Sequence, residues 1–121
     1  MLFEWDMTRQ KPALVEERFW KQAKASDSTQ QFADQLFEGA VAQADASDKV
    51  IEKFAENWKL ERLAAVDRSI LRLAIYELKF GTAPPKVVMD EALELAKKFS
   101  SAEAPVFLNG ILDAAYKGME N

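Results

Sequence analysis

The sequence contains no cysteine and no histidine among its 121 residues. Without cysteine there is no disulfide, zinc–thiolate site or thiol nucleophile, and such a composition fits a reducing cytoplasm. Without histidine the chain lacks the side chain whose pKa naturally lies near neutrality, the commonest general base of enzymes. Its four glycines are scattered and form no phosphate-binding loop or dinucleotide fingerprint. These absences count against catalysis and against a cofactor, and we expect neither.

Long hydrophobic runs are also missing. No apolar stretch approaches the roughly 20 residues that cross a bilayer, and the opening MLFEWDMT lacks the basic flank and long apolar core of a signal peptide. We therefore expect a cytoplasmic protein with no membrane partner. The net charge of −4, from 16 basic and 20 acidic residues, counts against extensive phosphate binding but leaves room for a local basic patch.

Helical periodicity dominates what is present, and no segment shows convincing strand alternation. Pro12 suits a first helical residue. Asp27 or Ser28 is the expected cap of the next helix, and Ser47 the cap of the one after it. The apolar positions of these helices that we expect to face inward include Val15, Phe19, Phe32, Phe37, Val41, Ile51, Phe54 and Trp58. The chain as a whole predicts an all-α fold of about seven helices.

Residues 66–80 predict a buried central helix, because apolar residues surround most of its circumference. Arg68, Arg72 and Lys79 form its narrow polar strip. This strip has two interpretations, a row of phosphate-binding cations or the solvated edge of the helix. After a turn, Pro85 predicts the start of another helix. The positions on that helix that we expect to face inward are Val88, Ala92, Leu95 and Phe99.

The final segment contains Asn109-Gly110 between apolar triplets, which is a hairpin signal. Against a hairpin, Pro105 suits a helix start and the apolar residues around the pair keep a helical period. We therefore predict a helix, in which Gly110 costs about 1 kcal/mol of helix propensity but lets another backbone approach closely.

Two groups of side chains could carry chemistry. Asp90, Glu91 and Glu94 could bind a metal or act as an acid–base pair, but their spacing is typical of a solvated helix face. Phe3 and Trp5 could stack on unpaired bases, as aromatic residues do in proteins that bind single strands, or they are ordinary core aromatics. The residues by themselves indicate a helical binding module without a named ligand.

Residues 62–113, RLAAVDRSILRLAIYELKFGTAPPKVVMDEALELAKKFSSAEAPVFLNGILD, resemble the NusB family of bacterial transcription antitermination factors. The family carries a buried VDRxILRxAxYEL helix, then PPKVVINEAVELAKxF, a short acidic loop and FVNGVLD. These motifs appear here in the same order and without gaps, and the helices before them agree in length and pattern. The resemblance covers essentially the whole chain.

The resemblance implies a single domain over residues 1–121, built of two packed helical subdomains and without catalytic activity. Family members bind the single-stranded boxA element of nascent RNA together with NusE, a ribosomal protein. That complex joins other Nus factors on RNA polymerase and suppresses termination, notably in ribosomal RNA operons. Some members also form homodimers that hide the RNA surface.

Carried over by position, the family's RNA-binding face corresponds to Phe3, Lys86, Glu103 and Phe107. The NusE-binding side corresponds to the acidic residues Glu61 and Asp67. Trp5 is assigned to the core. Two departures weaken the RNA loop, because Ala104 replaces a capping serine and Val106 replaces a lysine of many members.

A larger departure lies at the front of the chain. Family members begin with a basic stretch resembling RRxARExALQ, and its cluster of arginines has no counterpart within residues 1–121. We therefore expect MLFEWDMT to form the last two turns of an amphipathic helix. We also expect weak boxA binding with a shallow salt dependence, because few phosphates would be neutralised. Two alternatives remain, a helical interaction or dimerisation domain that does not bind RNA, and the NusB-like domain of an RNA methyltransferase.

Overall fold

The computed structural model describes residues 1–55 and 60–120, without the side chains of Glu61 and Glu120. This part of the chain forms seven α-helices and contains no strand. Their bounds are α1 Leu2–Thr8, α2 Pro12–Gln22, α3 Asp27–Ala42, α4 Ala44–Phe54, α5 Ala65–Phe80, α6 Pro85–Phe99 and α7 Ala104–Glu120, with a 3₁₀ turn at Leu60–Arg62 between α4 and α5. The predicted all-α class and number of helices are confirmed.

Local sequence signals set most of the helix starts. Pro12 and Pro85 each occupy the first helical position, where the missing N–H leaves no hydrogen bond unmade. The predicted cap of α3 is wrong by one residue, because the hydroxyl of Ser26 accepts the N–H of Thr29 at 3.3 Å. The predicted cap at Ser47 is also wrong, since α4 begins at Ala44 and Ser47 is buried within it.

The larger apolar cluster surrounds α5, which packs against α6 and α7 on one side and α4 on another. Its most deeply buried members are Ile51, Leu71, Ile75, Leu108 and Leu112. The predicted central position of α5 is therefore confirmed. On α6, Val88 and Ala92 face inward as predicted, but Leu95 and Phe99 are exposed because Ala96 occupies the contact face instead.

The smaller apolar cluster joins α1, α2, α3 and the start of α4 through Trp5, Val15, Phe37 and Ala44. Trp5 lies in this core as predicted. Phe32 is exposed instead of buried, since α1 and α2 cover only part of the surface of α3. Phe19 of α2 is also exposed, contrary to the prediction. Trp58, also predicted to face inward, lies outside the described residues. The two clusters correspond to the two predicted helical subdomains.

The Asn109-Gly110 pair lies inside α7, so the helix prediction is confirmed. The expected close approach at Gly110 is wrong, because a Cβ added there would meet no described atom within 4 Å. The close approach occurs at Gly39 in α3, where an added Cβ would lie 2.2 Å from the ring of Tyr76 in α5. No helix in residues 1–55 and 60–120 is long and apolar enough to cross a bilayer.

Candidate functional site

A pocket of about 350 Å³ lies between the start of α5 and the connection from α6 to α7. Its walls include Arg62, Leu63, Asp67, Ser101, Glu103 and Phe107. Glu103 and Phe107, predicted on the RNA-binding face, thus line the same pocket as Asp67, predicted to contact NusE. Its lining combines the buried apolar residues Leu63 and Ala104 with the exposed charged residues Arg62 and Glu103.

Asp67 is buried beneath this pocket and has an internal partner. The hydroxyl of Ser100 donates a hydrogen bond of 2.6 Å to its Oδ1. Because Ser100 ends α6, this bond ties the first turn of α5 to the connection that carries Glu103. The role of Asp67 toward a partner protein stays a prediction, as does that of Glu61, whose side chain lies outside the described part of the chain.

Phe3 and Lys86 are not among the residues that line this pocket. Phe3 is 49% exposed on α1, while Trp5 two residues later is buried, so the two aromatics point in different directions. Lys86 is exposed in the first turn of α6. The structure therefore leaves both predicted RNA-binding side chains accessible, and their roles stay predictions.

A buried ion cluster joins three helices at the boundary between the two subdomains. Arg72 of α5 is 1% exposed, and it contacts Asp6 of α1 and Asp48 of α4. Its Nη1 lies 2.5 Å from Asp6 Oδ1, and its Nε and Nη2 lie 2.7 and 3.0 Å from the two oxygens of Asp48. Arg68, one turn earlier, places Nη2 2.7 Å from Asp6 Oδ2. We call Asp6, Asp48, Arg68 and Arg72 the ion cluster.

Both sequence interpretations of the polar strip on α5 are wrong for Arg72, which neither reaches solvent nor is free to bind phosphate. Arg68 is mostly buried as well, and it donates to the carbonyls of Leu60 and Leu63 besides Asp6. Lys79 is exposed, as a solvated edge requires. One signal for the cluster existed, since two arginines four residues apart on a helix that is apolar nearly all round must find buried partners.

Electrostatics favour the ionised form of the cluster. Burial opposes ionisation of Asp6, but the hydrogen bonds and charges of Arg68 and Arg72 outweigh it and lower the pKa of that carboxyl. Burial likewise disfavours the charged guanidinium of Arg72, but the hydrogen bonds that it donates to Asp48 and Asp6 outweigh the effect of burial and raise the pKa of Arg72. Two cations thus face two anions, and the cluster is neutral as a whole.

A second pocket of about 240 Å³ opens over the ion cluster and is lined by Asp6, Arg9, Leu60, Arg68 and Arg72. Arg9 follows α1 with φ of 55°, in the left-handed region that non-glycine residues seldom adopt. Its guanidinium lies 4.3 Å from the centre of the Trp5 ring, a cation–π contact. The end of α1 is thereby folded back onto its own buried aromatic.

The carboxylates of α6 do not form a ligand set. Asp90, Glu91 and Glu94 are all exposed, and Glu94 pairs with Lys97 at 3.4 Å. Among the described residues, no three acidic side chains come close enough together to hold a metal ion.

The helices display aromatic and charged groups around a pocket, an arrangement typical of a binding module. The NusB family model matches residues 1–117. The transcription antitermination protein NusB of Koribacter versatilis is 43% identical over 122 residues, spanning 99% of this chain and 84% of that relative. The chain belongs to the NusB family.

Two solved structures share the fold at 32% sequence identity. T. maritima NusB matches with a TM-score of 0.85 over 96% of this chain and 82% of its own. A chain in the crystal structure of antitermination factors NusB and NusE in complex with double-stranded RNA matches with a TM-score of 0.84, over 97% of this chain and 88% of that one. The likeness therefore extends over nearly all of the helices.

Proposed function

We propose that this protein is a transcription antitermination factor that binds boxA RNA together with NusE and helps RNA polymerase read through terminators, notably in ribosomal RNA operons. Full-length membership of the NusB family supports this proposal. The observation that carries it is the match, over nearly the whole chain, to a solved complex of NusB with NusE and RNA. Such a factor acts by binding, and no catalytic step is assigned to it.

The proposed RNA-binding face combines stacking with charge. The exposed ring of Phe3 offers one face to an unpaired base, and Phe107 offers a second aromatic surface at the wall of the larger pocket. Lys86 supplies a cation for a phosphate. Glu103 at the pocket rim can accept a hydrogen bond from a base edge. In this proposal residues 1–121 act as one RNA- and protein-binding domain.

The proposed NusE-binding side includes Glu61 and Asp67. An acidic surface attracts a basic ribosomal protein and speeds the encounter between the two. Since Asp67 is buried and bound to Ser100, its part in that surface is chiefly to set the shape of the connection between α6 and α7. The overall acidic composition, with a net charge of −4, agrees with a basic partner.

Fluorescence anisotropy with a labelled boxA strand tests the proposal, with purified NusE present and absent. We expect NusE to strengthen RNA binding, and a strand of scrambled sequence to bind more weakly. Phe3→Ala should weaken boxA binding about tenfold, because one stacked base contributes about 1–3 kcal/mol. Phe32→Ala is the matched control, since Phe32 is also exposed but lies on α3, a helix that carries none of the proposed RNA-binding residues.

A lack of boxA preference with NusE present contradicts the proposed function. Equal affinities for Phe3→Ala and Phe32→Ala contradict the assignment of Phe3 alone. A transcription assay with the other Nus factors completes the test, since the wild-type protein should increase read-through of a terminator downstream of boxA.

A further inference from the structure

α1, the helix that carries Phe3, is held in place by its contacts with other helices, because the stability of helices in proteins comes mostly from tertiary packing rather than from helix propensity. Glu4 forms one tie, an ion pair of 3.3 Å with Arg18 of α2, but both side chains are substantially exposed and such pairs contribute little. The place of α1 must therefore be set by buried contacts.

Arg72 contacts α1 at two points while it is held by α4. Its guanidinium donates to Asp6 and lies 5.6 Å from the centre of the Trp5 ring. Asp48 fixes the same guanidinium through two further bonds. Because Arg68 takes the second oxygen of Asp6, both oxygens of that carboxylate are bound by α5. A rotation or shift of α1 would break these bonds in a site where the side chain of Asp6 is only 3% exposed.

The same bonds fix the direction of Phe3. Phe3 precedes Asp6 by three residues, so the two side chains are neighbours on the helix surface, one turn apart. Trp5 anchors the opposite side of the helix in the smaller core. With Asp6 and Trp5 both fixed, the side of α1 that carries Phe3 faces outward.

We propose that the ion cluster positions α1 for RNA binding, with Asp6 and Arg72 as positioning residues that do not themselves touch RNA. The proposal rests on the proposed function, in which Phe3 contacts RNA. The cluster is suited to this role because its bonds are directional, whereas apolar packing alone would allow a short helix to slide. An RNA-binding face that is already ordered avoids the cost of ordering it on binding.

The matched pair Asp6→Asn and Asp48→Asn tests this role. Each variant removes one carboxylate charge from Arg72 and leaves it the other, but only Asp6 belongs to α1. For Asp6→Asn we expect faster amide hydrogen exchange across residues 2–8. We also expect boxA affinity to be about tenfold weaker, which is the loss that results if α1 occupies its binding-competent position about a tenth of the time. For Asp48→Asn we expect at most about a twofold change, since both bonds to α1 remain.

Three readouts separate positioning from a general effect. Asp6→Asn removes a negative charge, which by itself would strengthen the non-specific attraction to RNA. A decrease in boxA affinity therefore cannot be an electrostatic effect of the lost charge. The slope of affinity against salt should stay unchanged, because no phosphate contact is lost. Affinity for NusE alone should also stay unchanged, whereas damage to the whole fold would lower it.

Asp6→Glu provides a second variant if Asp6→Asn fails to fold. It keeps the charge and the ion pairs but lengthens the arm by one methylene, so α1 is displaced and boxA affinity should fall about threefold. The inference is overturned if Asp6→Asn binds boxA as the wild type does, or if both Asn variants lose RNA and NusE binding equally. Failure of the wild type to bind boxA with NusE present would instead contradict the proposed function, and hydrogen exchange in α1 would still report the positioning.

Discussion

The two helical subdomains hold their helices in different ways. Around α5, α6 and α7 the contacts are apolar, and long side chains such as Leu71, Leu108 and Leu112 are fully buried. The apolar cluster of the smaller subdomain has only four buried members in the described part of the chain. It adds polar ties, including the ion cluster and a hydrogen bond of 2.8 Å from Trp20 Nε1 to Asp34 Oδ1. A small core thus depends on directional bonds for its geometry, whereas a large one can depend on packing.

This difference predicts unequal costs for truncating core side chains. Val88→Ala in the larger subdomain should destabilise the protein by about 2–3 kcal/mol, because the cavity lies in a closely packed cluster that cannot collapse. Val15→Ala, the same truncation in the smaller subdomain, should cost about 1–2 kcal/mol, since fewer buried side chains surround it. Chemical denaturation followed by circular dichroism measures both values. Equal losses, or a larger loss at Val15, would contradict the comparison.

The polar contacts of the smaller subdomain should also make its stability depend on pH. Burial, together with Asp34 and Glu38 of α3, raises the pKa of Glu16 to about 7. The folded protein then holds a proton that the unfolded chain releases near pH 4.5, so stability falls as pH rises from about 4.5 to about 7 and remains lower above that. One oxygen of Glu16 is buried without a hydrogen-bond partner among the described residues, which adds to this cost.

Glu16→Gln removes the free-energy cost of ionising a carboxyl group at this site, because glutamine stays neutral at every pH. The variant should be more stable than the wild type at pH 8, by about 1 kcal/mol once solvent screening of this partly exposed site is considered, and the two should converge near pH 5. Thermal unfolding from pH 5 to pH 8 provides the measurement. Glu17→Gln is the matched control, because Glu17 is exposed and forms a surface ion pair with Lys21, and the stability of this variant should follow that of the wild type. A constant difference between Glu16→Gln and wild type at every pH would argue against ionisation as the cause.

The same contrast explains which sequence predictions succeeded. In the larger subdomain, burial follows helical period closely, so the pattern alone located α5 and the helix through Asn109-Gly110. Errors there are confined to the margin, as at Leu95 and Phe99, where smaller alanines make the contact. In the smaller subdomain Phe32 is apolar yet exposed, because α1 and α2 leave part of α3 uncovered, and Phe19 of α2 is exposed as well.

The candidate site was less accessible to sequence reasoning. Motif resemblance supplied Phe3, Lys86, Glu103 and Phe107, and periodicity could not have chosen them among the other surface residues. The ion cluster was missed because its carboxylates lie 24 to 66 residues from the arginines that they contact, a separation at which no local rule applies. Only the packing of α1 and α4 against α5 brings its carboxylates to one guanidinium.

The smallest predicted effect concerns Gly110 of α7, and it tests whether contacts among the described helices account for the whole packing of the larger subdomain. A Cβ at Gly110 would meet no described atom within 4 Å, so Gly110→Ala should gain up to about 1 kcal/mol of helix propensity at no packing cost. Gly118→Ala in the same helix should gain less, because its Cβ would lie 3.3 Å from the tip of the Phe54 ring and the helix ends two residues later. Thermal unfolding ranks the two variants. If Gly110→Ala destabilises the protein, another segment must pack against α7 at Gly110, where a methyl group would collide with it. The described helices would then not account for all the contacts of the larger core.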